Sequence, residues 1–364
     1  MTRNAKGIMY YSQWRLIWLK FKSHRIALVS ACVLLGIYLS VIFSQFLAPY
    51  DPTERHTDRT NAPPQPIHWT EDGRLQRPFV YGYHRVRNAN TLAWDYTADT
   101  NIKLPILFFV QGQPYRLWGL FPTKLHLYGV AQGGTIHLLG TDYLGRDTVS
   151  RLLYGGQISL SIGLVGVTMS LLIGMILGGL SGYLGGVVDM LVQRLIEFLI
   201  CIPTLPLWMG LAAAVPATWP VTHVYLMMCV ILSLVSWTGL ARVVRGKILS
   251  GREETYVLAS QLGGAGTGWI LRRHLLPGLT SYVIVALTLS VPAMILAETA
   301  LSFLGLGLQP PAISWGVLLQ SAQNLRTIAL YPWLLSPAIL VIAVVLCFNF
   351  VGDGLRDAAD PYVR

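Results

Sequence analysis

The sequence predicts an all-α polytopic membrane protein with six transmembrane helices and a small β-rich extracytoplasmic insert between the first and second helices. The 364-residue chain is 53% apolar and 12% charged, with a mean hydropathy of +0.52, which is typical of proteins with several membrane spans. Six apolar stretches have about the 20 residues that a helix needs to cross a bilayer. They are Ile26–Ala48, Ile158–Leu180, Phe198–Val215, Val224–Leu240, Leu279–Leu296 and Tyr331–Val351.

The N-terminal segment, residues 1–25, is predicted to be cytoplasmic. It carries six basic side chains and no acidic one, and short segments with such an excess normally face the cytoplasm. The first span, residues 26–48, is too long for the ~7–15-residue core of a cleaved signal peptide, so it is predicted to remain as an anchor. The net charge of +10 is attributed to topology, not to nucleic-acid binding. The basic residues are Arg3, Lys6, Arg15, Lys20, Lys22 and Arg25.

The insert, residues 49–156, is predicted to form a small β-rich domain. Alternating segments at Phe79–Tyr83 and Leu104–Val110 indicate strands, and Gly112-Gln113 and Gly133-Gly134 are predicted turns. Tryptophans are expected to contribute to its core, and the two histidines near its end are expected at the surface or in turns. These residues are Trp69, Trp94, Trp118, His126 and His137.

The permease core, residues 157–351, contains the other five spans. The third span carries Pro203, Pro206 and Pro216, so a kink is predicted there. The cysteines all fall in predicted spans and are expected to be small core residues (Cys32, Cys201, Cys229 and Cys347). Asp189 and Arg194 are predicted to pair at the surface. The tail, residues 352–364, is predicted to be cytoplasmic because six spans return the chain to its starting side.

A polar segment, residues 241–278, interrupts the core with six Lys/Arg against two Glu, which predicts a cytoplasmic loop. A helix around Tyr256 and Val257 is predicted to stop at Gly263-Gly264. Helical structure is predicted to resume at Trp269 and to end at Pro277. The segment should therefore project from the bilayer as a helix–turn–helix able to dock into another protein.

This segment resembles the EAA loop of binding-protein-dependent ABC importer permeases, whose pattern is Glu-Ala-Ala, three residues, Gly, and a later Leu-Pro. Leu258 and Ser260 depart from the pattern. The resemblance implies that the segment couples transport to a partner ATPase. The matching positions are Leu258, Ala259, Ser260, Gly264, Leu276 and Pro277. The predicted coupling residues are Tyr256, Val257, Leu258, Ala259, Ser260, Gly263, Gly264, Leu276 and Pro277.

Three further segments resemble the C-type subunits of oligopeptide and dipeptide importers: residues 139–155, 298–316 and 352–361. In the first, Asp142 or Thr141 is expected to cap a short helix, with Arg146 and Arg151 at headgroup level. In the second, a short helix beginning at Trp315 is expected to lie in the membrane interface.

Glu298, near the end of the fifth span, is a functional candidate, with helix capping or pairing with a neighbouring subunit left open. The predicted extracytoplasmic mouth comprises Asp142, Arg146, Asp147, Glu298 and Trp315.

The resemblance implies type I ABC importer architecture in the inner membrane of a bacterium, with both termini cytoplasmic. It implies a heterodimer with a sister permease, two cytoplasmic ABC ATPases and an extracytoplasmic substrate-binding protein. The chain is predicted not to be an enzyme: it has no phosphate-binding Gly-rich loop and no metal-ligand spacing, so ATP and Mg²⁺ would be used by the partners. The implied mechanism is alternating access, with the Thr255–Gly264 helix acting as a lever.

Peptides are the implied substrates, and nickel is an alternative within the same family. A stand-alone secondary transporter or channel is the first competing hypothesis, but inverted repeats and charged relays within the spans are not evident in the sequence. A membrane anchor that carries a signalling domain is the second, but it would have no need of the elaborate 241–278 segment.

Overall fold

The computed structural model describes residues 13–71, 74–87, 94–131, 134–216 and 218–359. Arg3, Lys6, Gly133 and the predicted Asp360-Pro361 turn lie outside these ranges. The chain divides into two compact units. The first unit contains the described residues up to Leu35, Ser161–Leu301 and the described residues from Val341 onward. The second contains Gly36–Leu160 and Ser302–Leu340.

The structure is mostly helical. The helices are α1 (Gln13–Ser23), α2 (Arg25–Ile42), α3 (Ser44–Leu47), α4 (Thr148–Leu184), α5 (Gly186–Cys201), α6 (Thr204–Ala213), α7 (Val221–Gly251), α8 (Thr255–Leu262), α9 (Thr267–Ile270), α10 (Leu276–Gly278), α11 (Thr280–Phe303), α12 (Trp315–Gln320), α13 (Leu325–Leu330) and α14 (Ser336–Ala359). Short 3₁₀ turns cover Thr57–Arg59 and Pro332–Leu335, and a π-helical turn covers Leu271–Leu275.

Within the described ranges, five helices are long and apolar enough to cross a membrane, or six if the bent pair α5–α6 counts as one span. The pair is bent by 87°, so the predicted kink is confirmed. Its cause is Pro203, because a residue that precedes proline is pushed out of helical geometry, and Ile202 has extended backbone angles. Several helices extend beyond the predicted spans: α4 begins at Thr148, α7 continues to Gly251 and α11 continues to Phe303.

A row of glycines on α4 lets it approach α7 closely in the first unit. A Cβ on Gly178 would lie 2.5 Å from the carbonyl oxygen of Ala241, and one on Gly182 would lie 2.8 Å from that of Arg245. Small residues four positions apart allow membrane helices to pack backbone against backbone. Gly174 continues the row, 3.1 Å from the Trp237 carbonyl by the same measure.

Two predictions about side chains in this unit are wrong. Asp189 pairs with Arg245 of α7, at 2.5 Å, while Arg194 pairs with Glu197 on its own helix. The two residues therefore do not pair with each other. Of the four cysteines, only Cys229 is buried: Cys32 and Cys201 are exposed and Cys347 is half-buried, so most of them are not core residues.

The β-rich insert is present in the second unit. Strands β1 (His68–Glu71), β2 (Arg74–Arg87) and β3 (Trp94–Pro105) form one antiparallel sheet in the order β1-β2-β3. Strands β4 (Leu107–Leu117) and β5 (Phe121–Gly129) form a separate antiparallel hairpin. The alternation at 79–83 lies in β2 as predicted. The 104–110 segment is not a single strand, because the chain passes from β3 to β4 at Ile106.

The core of the insert differs from the prediction. It is formed by Val80, Ile106 and Ile136, whereas Trp69, Trp94 and Trp118 are all exposed. His126 and His137 are buried, not at the surface. Gly112 and Gln113 lie within β4 at an irregular stretch of its pairing with β5, so they do not form the chain reversal. A pleated strand can hold a local bulge there without turning back.

Candidate functional site

The 241–278 segment is built on the end of α7. Val244 and Ile248 of α7 pack with Val257 of α8 and with Ile270 and Leu271 of the following turn. Val257 and Ile270 are fully buried. Burial of apolar side chains, worth about 1.5–3 kcal/mol each, therefore fixes α8 against the helix that carries it.

Helix α8 ends at a glycine that adopts a left-handed conformation, as the sequence predicts. Gly264 has a φ of +80°, and its N–H donates to the Gln261 carbonyl at 2.9 Å. The next N–H, of Ala265, donates to the Ser260 carbonyl at 3.0 Å. These two bonds form a Schellman motif, which satisfies carbonyl groups left over at a helix end and favours glycine at the left-handed position. Gly263, at φ −73°, has no such requirement.

His274 ties the second part of the segment to α8. Its Nε2 lies 3.0 Å from Ser260 Oγ, and its ring lies between Tyr256 and Trp269, at centroid distances of 5.6 and 5.0 Å. The predicted resumption of helix at Trp269 is observed as α9, followed by a π-helical turn instead of a continuous α-helix. Pro277 lies in α10, which ends at Gly278, one residue later than predicted.

The remaining face of α8 is apolar and exposed. Leu262 is 91% exposed, and Tyr256, Leu258 and Trp269 are each about half exposed. Ala259 on the same helix is also exposed. Exposed apolar patches of this kind mark sites of protein–protein contact. Exposed basic side chains precede and follow α8 along the chain, namely Arg242, Lys247, Arg272 and Arg273, and the exposed Glu253 and Glu254 directly precede it.

The predicted coupling residues therefore separate into two groups. Val257 and Leu276 belong to the packing beneath α8, and Ser260 positions His274. The others are exposed: Tyr256, Leu258, Ala259, Gly263, Gly264 and Pro277. The sequence prediction missed Leu262, Trp269 and His274. The apolar Leu258–Leu262 spacing on a polar loop helix could have indicated the first of these.

The base of the segment is held by a charged pair. Arg245 Nε and Nη2 each donate to one Asp189 oxygen at 2.5 Å, and Ser181 Oγ donates to the same carboxylate. A two-bond Arg–carboxylate contact fixes orientation as well as distance. It therefore orients the last turns of α7, from which the segment projects.

The elbow, residues 136–150, contains three of the predicted mouth residues. Asp142 accepts hydrogen bonds from the backbone N–H groups of Leu144 and Arg146, and its carboxylate pairs with the Arg146 guanidinium at 2.7 Å. Arg151 is buried beside the same carboxylate, 3.6 Å away, so its predicted place at headgroup level is wrong. Asp142 thus closes a tight turn.

The helix cap is Asp147, not Asp142 or Thr141 as predicted. Asp147 Oδ2 accepts from the backbone N–H and the hydroxyl of Ser150, each at 2.8 Å, at the start of α4. This is the position at which an acidic side chain satisfies free N–H groups of a helix. Thr141 is used elsewhere: its hydroxyl accepts from the Ala62 N–H and donates to the Arg59 carbonyl.

Asp147 also holds a buried histidine. His137 Nδ1 lies 3.0 Å from Asp147 Oδ1, and the His137 ring contacts the rings of Tyr50 and His56. Burial, and then repulsion from the His137 ring, lower the pKa of His56, and burial raises the pKa of Tyr50. Each group is therefore stabilised in its neutral form.

Trp315 lies in the second unit and Glu298 in the first. The Trp315 ring is buried, and its Nε1 donates to the Leu152 carbonyl of α4 at 3.0 Å. Helix α12 is consequently packed inside its unit and does not lie on a membrane surface as predicted. Glu298 is fully buried within α11, with the Thr299 hydroxyl 3.5 Å away.

A cavity of about 450 Å³ lies within the first unit. Its described lining contains no acidic, basic, imidazole or thiol group; the polar side chains are Ser170, Ser236, Ser290, Tyr282 and Trp208. Ser170 Oγ and Trp208 Nε1 have no hydrogen-bond partner among the described residues. Across the same residues, no group of three or more His, Cys, Asp or Glu is arranged to hold a metal ion.

Comparisons with known proteins give a consistent result. Residues 170–364 match the family described as binding-protein-dependent transport system inner membrane component, and residues 12–64 match the N-terminal TM domain of oligopeptide transport permease C. The dipeptide transport system permease protein DppC of Bacillus subtilis is 42% identical over 63% of this chain and 69% of its own length. The oligopeptide transport system permease protein OppC of Haemophilus influenzae is 41% identical over 63% and 71%.

A Brucella suis protein named as a peptide permease is 36% identical over 76% of this chain and 90% of its own length. A solved structure of the MetNI methionine ABC transporter is 17% identical, covers 57% of this chain and 96% of its own, and has a TM-score of 0.42.

Proposed function

Because this chain belongs to the family of binding-protein-dependent transport system inner membrane components, we propose that it is a membrane permease subunit of an ATP-driven importer of peptides. The names of its relatives support peptides as the substrate class. The cavity in the first unit supports peptides over nickel, because hydroxyl and indole groups can bind backbone amides, whereas nickel takes imidazole, thiolate or carboxylate ligands.

We infer that the chain crosses the membrane six times, counting the bent α5–α6 pair, with both termini in the cytoplasm. The basic N-terminal segment and the basic 241–278 segment support this orientation. A cysteine introduced at Thr97 in β3 should react with a membrane-impermeant thiol reagent from outside, and one at Ser250 only after permeabilisation. Gly112 is unsuitable as a labelling site, since a Cβ there would lie 2.5 Å from His126. The opposite labelling pattern would invert the topology.

The exposed apolar face of α8 is the observation that carries the proposal. A helix that is anchored by Val257 and presents Leu258, Ala259 and Leu262 is suited to enter a groove on a cytoplasmic ATPase. We propose that two such ATPases, a sister permease and an extracytoplasmic binding protein complete the transporter. Movement of the docked helix with the ATPases would then switch the spans between two access states.

Substitution of Ala259 tests this role. Ala259→Arg should leave the subunit in the membrane, because the residue is exposed, but it should abolish ATP-driven peptide uptake and leave ATP hydrolysis uncoupled. The reason is that a bulky charge at a close-packed contact cannot be desolvated cheaply. Uptake and hydrolysis would be measured in proteoliposomes. Ala259→Ser, which keeps the side chain small, should retain coupling. Normal uptake by the arginine variant would contradict the docking role.

We further propose that the insert contacts the binding protein at the external mouth, with bracing of the sister permease as the alternative. Its length supports a dedicated role, since loops this long normally form functional elements or domains.

A further inference from the structure

The tip of the β4–β5 hairpin is an uncharged aromatic turn. The strands pair until Leu117 and Phe121, and the chain reverses through Trp118, Gly119 and Leu120. The nearest charged residues, Arg116 and Lys124, are both basic and lie on either side of the tip. The pattern of basic residues flanking an apolar, Trp-containing element is typical of structures at a membrane interface.

The tip exposes its apolar side chains. Leu120 is 73% exposed, Phe121 60% and Trp118 50%. These residues are consecutive or nearly so, so they form one continuous patch, unlike the isolated apolar residues normal on a soluble surface. The exposed face of this hairpin therefore requires an apolar neighbour.

Trp118 fixes the tip at the end of the first span. Its Nε1 donates to the carbonyl of Ile42, the last residue of α2, at 3.0 Å. Its backbone N–H donates to Gln45 Oε1 at 2.8 Å, and its ring lies 5.5 Å from that of Phe43. The indole thus satisfies a carbonyl left without a helical partner where α2 ends. If α2 spans the membrane, as proposed above, this contact would set the tip at the level of the bilayer boundary.

The turn geometry of the hairpin fixes the backbone of Trp118. Trp118 and Gly119 have φ values of +53° and +74°, and the Leu120 N–H donates to the Leu117 carbonyl at 3.0 Å. Positive φ at both central residues is the geometry that matches a tight turn to the twist of a hairpin. The hairpin is also tied at its other end by His126, whose Nδ1 lies 2.7 Å from the Ala48 carbonyl oxygen.

An apolar groove of about 570 Å³ lies between the hairpin and the end of the span. Leu39, Phe43 and Phe46 line one side, and Leu117, Phe121 and Leu125 line the other. Leu39 and Phe43 are also exposed on α2 and the turn after it. The groove is therefore continuous with the exposed apolar surface of α2.

We propose that the β4–β5 hairpin tip inserts into the membrane leaflet on its own side, with a lipid acyl chain in the groove and lipid phosphates on Arg116 and Lys124. Interfacial elements of this kind reach about 5–10 Å into the headgroup–acyl boundary. Lipid fits better than a protein partner because the patch continues the surface of a candidate spanning helix and the charged residues nearest the tip along the chain are both basic. This inference rests on the proposed function in requiring that α2 spans the bilayer.

Site-specific fluorescence quenching tests the proposal. In a full-length chain whose four native cysteines are replaced, Leu120→Cys would carry an environment-sensitive fluorophore, and the complex would be reconstituted in nanodiscs. Lipids spin-labelled near the headgroup should remove most of the emission, whereas aqueous iodide should have little effect. Phe121→Cys provides a second position if the first variant does not assemble. Thr97→Cys, exposed on β3, should give the reverse result.

Each other outcome contradicts the proposal. Iodide quenching at Leu120 as strong as at Thr97 would place the tip in water. A label that neither quencher reaches would show that a protein partner covers the tip. Leu35→Cys, on an exposed position of α2, separates the inference from its premise. If spin-labelled lipid reaches Leu35 but not Leu120, only the hairpin proposal fails; if it does not reach Leu35, the membrane span itself is contradicted.

Discussion

The 241–278 segment and the elbow differ in the sequence distance over which their contacts are made. The end of α8 is shaped by residues a few positions apart, through Gly264 with Gln261 and Ala265 with Ser260. In the elbow, the Ile136 N–H donates to the hydroxyl of Tyr50, 86 positions away, and the His137 N–H donates to Gln65 Oε1, 72 positions away. Local contacts leave a pattern that can be recognised in one sequence, whereas distant contacts do not.

The largest expected effect comes from breaking a long-range backbone contact at the start of the 241–278 segment. Gly178→Val should prevent α4 from approaching α7, since its Cβ would meet the Ala241 carbonyl oxygen at 2.5 Å. A clash with backbone cannot be relieved by a rotamer change, so we expect a loss of about 3 kcal/mol or more. Protease resistance of the subunit in membranes would measure it. Gly210→Ala, with open space around its Cβ, should be neutral. An unchanged Gly178→Val subunit would disprove the close approach.

A smaller loss is expected in the elbow. Asp147→Ala removes the cap of α4 and the partner of His137 together, which should destabilise this region by about 2 kcal/mol. Hydrogen exchange of residues 136–150 in the purified complex would detect faster opening. Asp58→Ala provides the matched control, because Asp58 makes only a surface ion pair with Arg59. Equal protection in the two variants would mean that the elbow is held by other contacts.

The smallest effect tests the local contact alone. Gly264→Val should cost about 1–2 kcal/mol, because a β-branched residue is strained at φ +80°. Gly264→Asn should cost less, since asparagine tolerates the left-handed region. No atom lies within 4 Å of a Cβ at this position, so strain, not a clash, would be measured. The readout is ATP-driven uptake together with thermal stability. If the valine variant proved at least as stable and as active in uptake as the asparagine variant, the Schellman motif would be excluded as the reason for glycine.

The same difference explains how much the sequence alone could predict. Hydropathy predicted the long apolar helices, Pro203 predicted the kink, and Gly263-Gly264 predicted the end of α8. Each of these structural features depends on residues that are close together in the sequence. Tryptophan content suggested the wrong core for the insert. The true core joins Val80 and Ile106 to Ile136 across the whole insert, and no local pattern indicates that pairing.

The candidate site was partly predictable for a related reason. The resemblance to the EAA loop selected the correct region but did not distinguish buried Val257 from exposed Leu258. It also missed His274, because the Ser260 contact appears only once the π-helical turn has brought the ring back to α8. The capping role of Asp147 was assigned to Asp142 or Thr141. The reason is that α4 begins at Thr148, ten residues before the apolar stretch from Ile158 that predicted this helix.

The exposed leucine at the end of α8 also has a consequence for the life of the protein before it is assembled. Leu262 is 91% exposed, on a helix whose other apolar neighbours are half exposed. A newly made copy that has not met its partners presents this patch to chaperones and proteases, which recognise apolar surface. The proposed docking would hide it. The surface proposed to transmit force in the finished transporter would then also report whether the subunit has been incorporated, and it would limit how long a surplus copy survives.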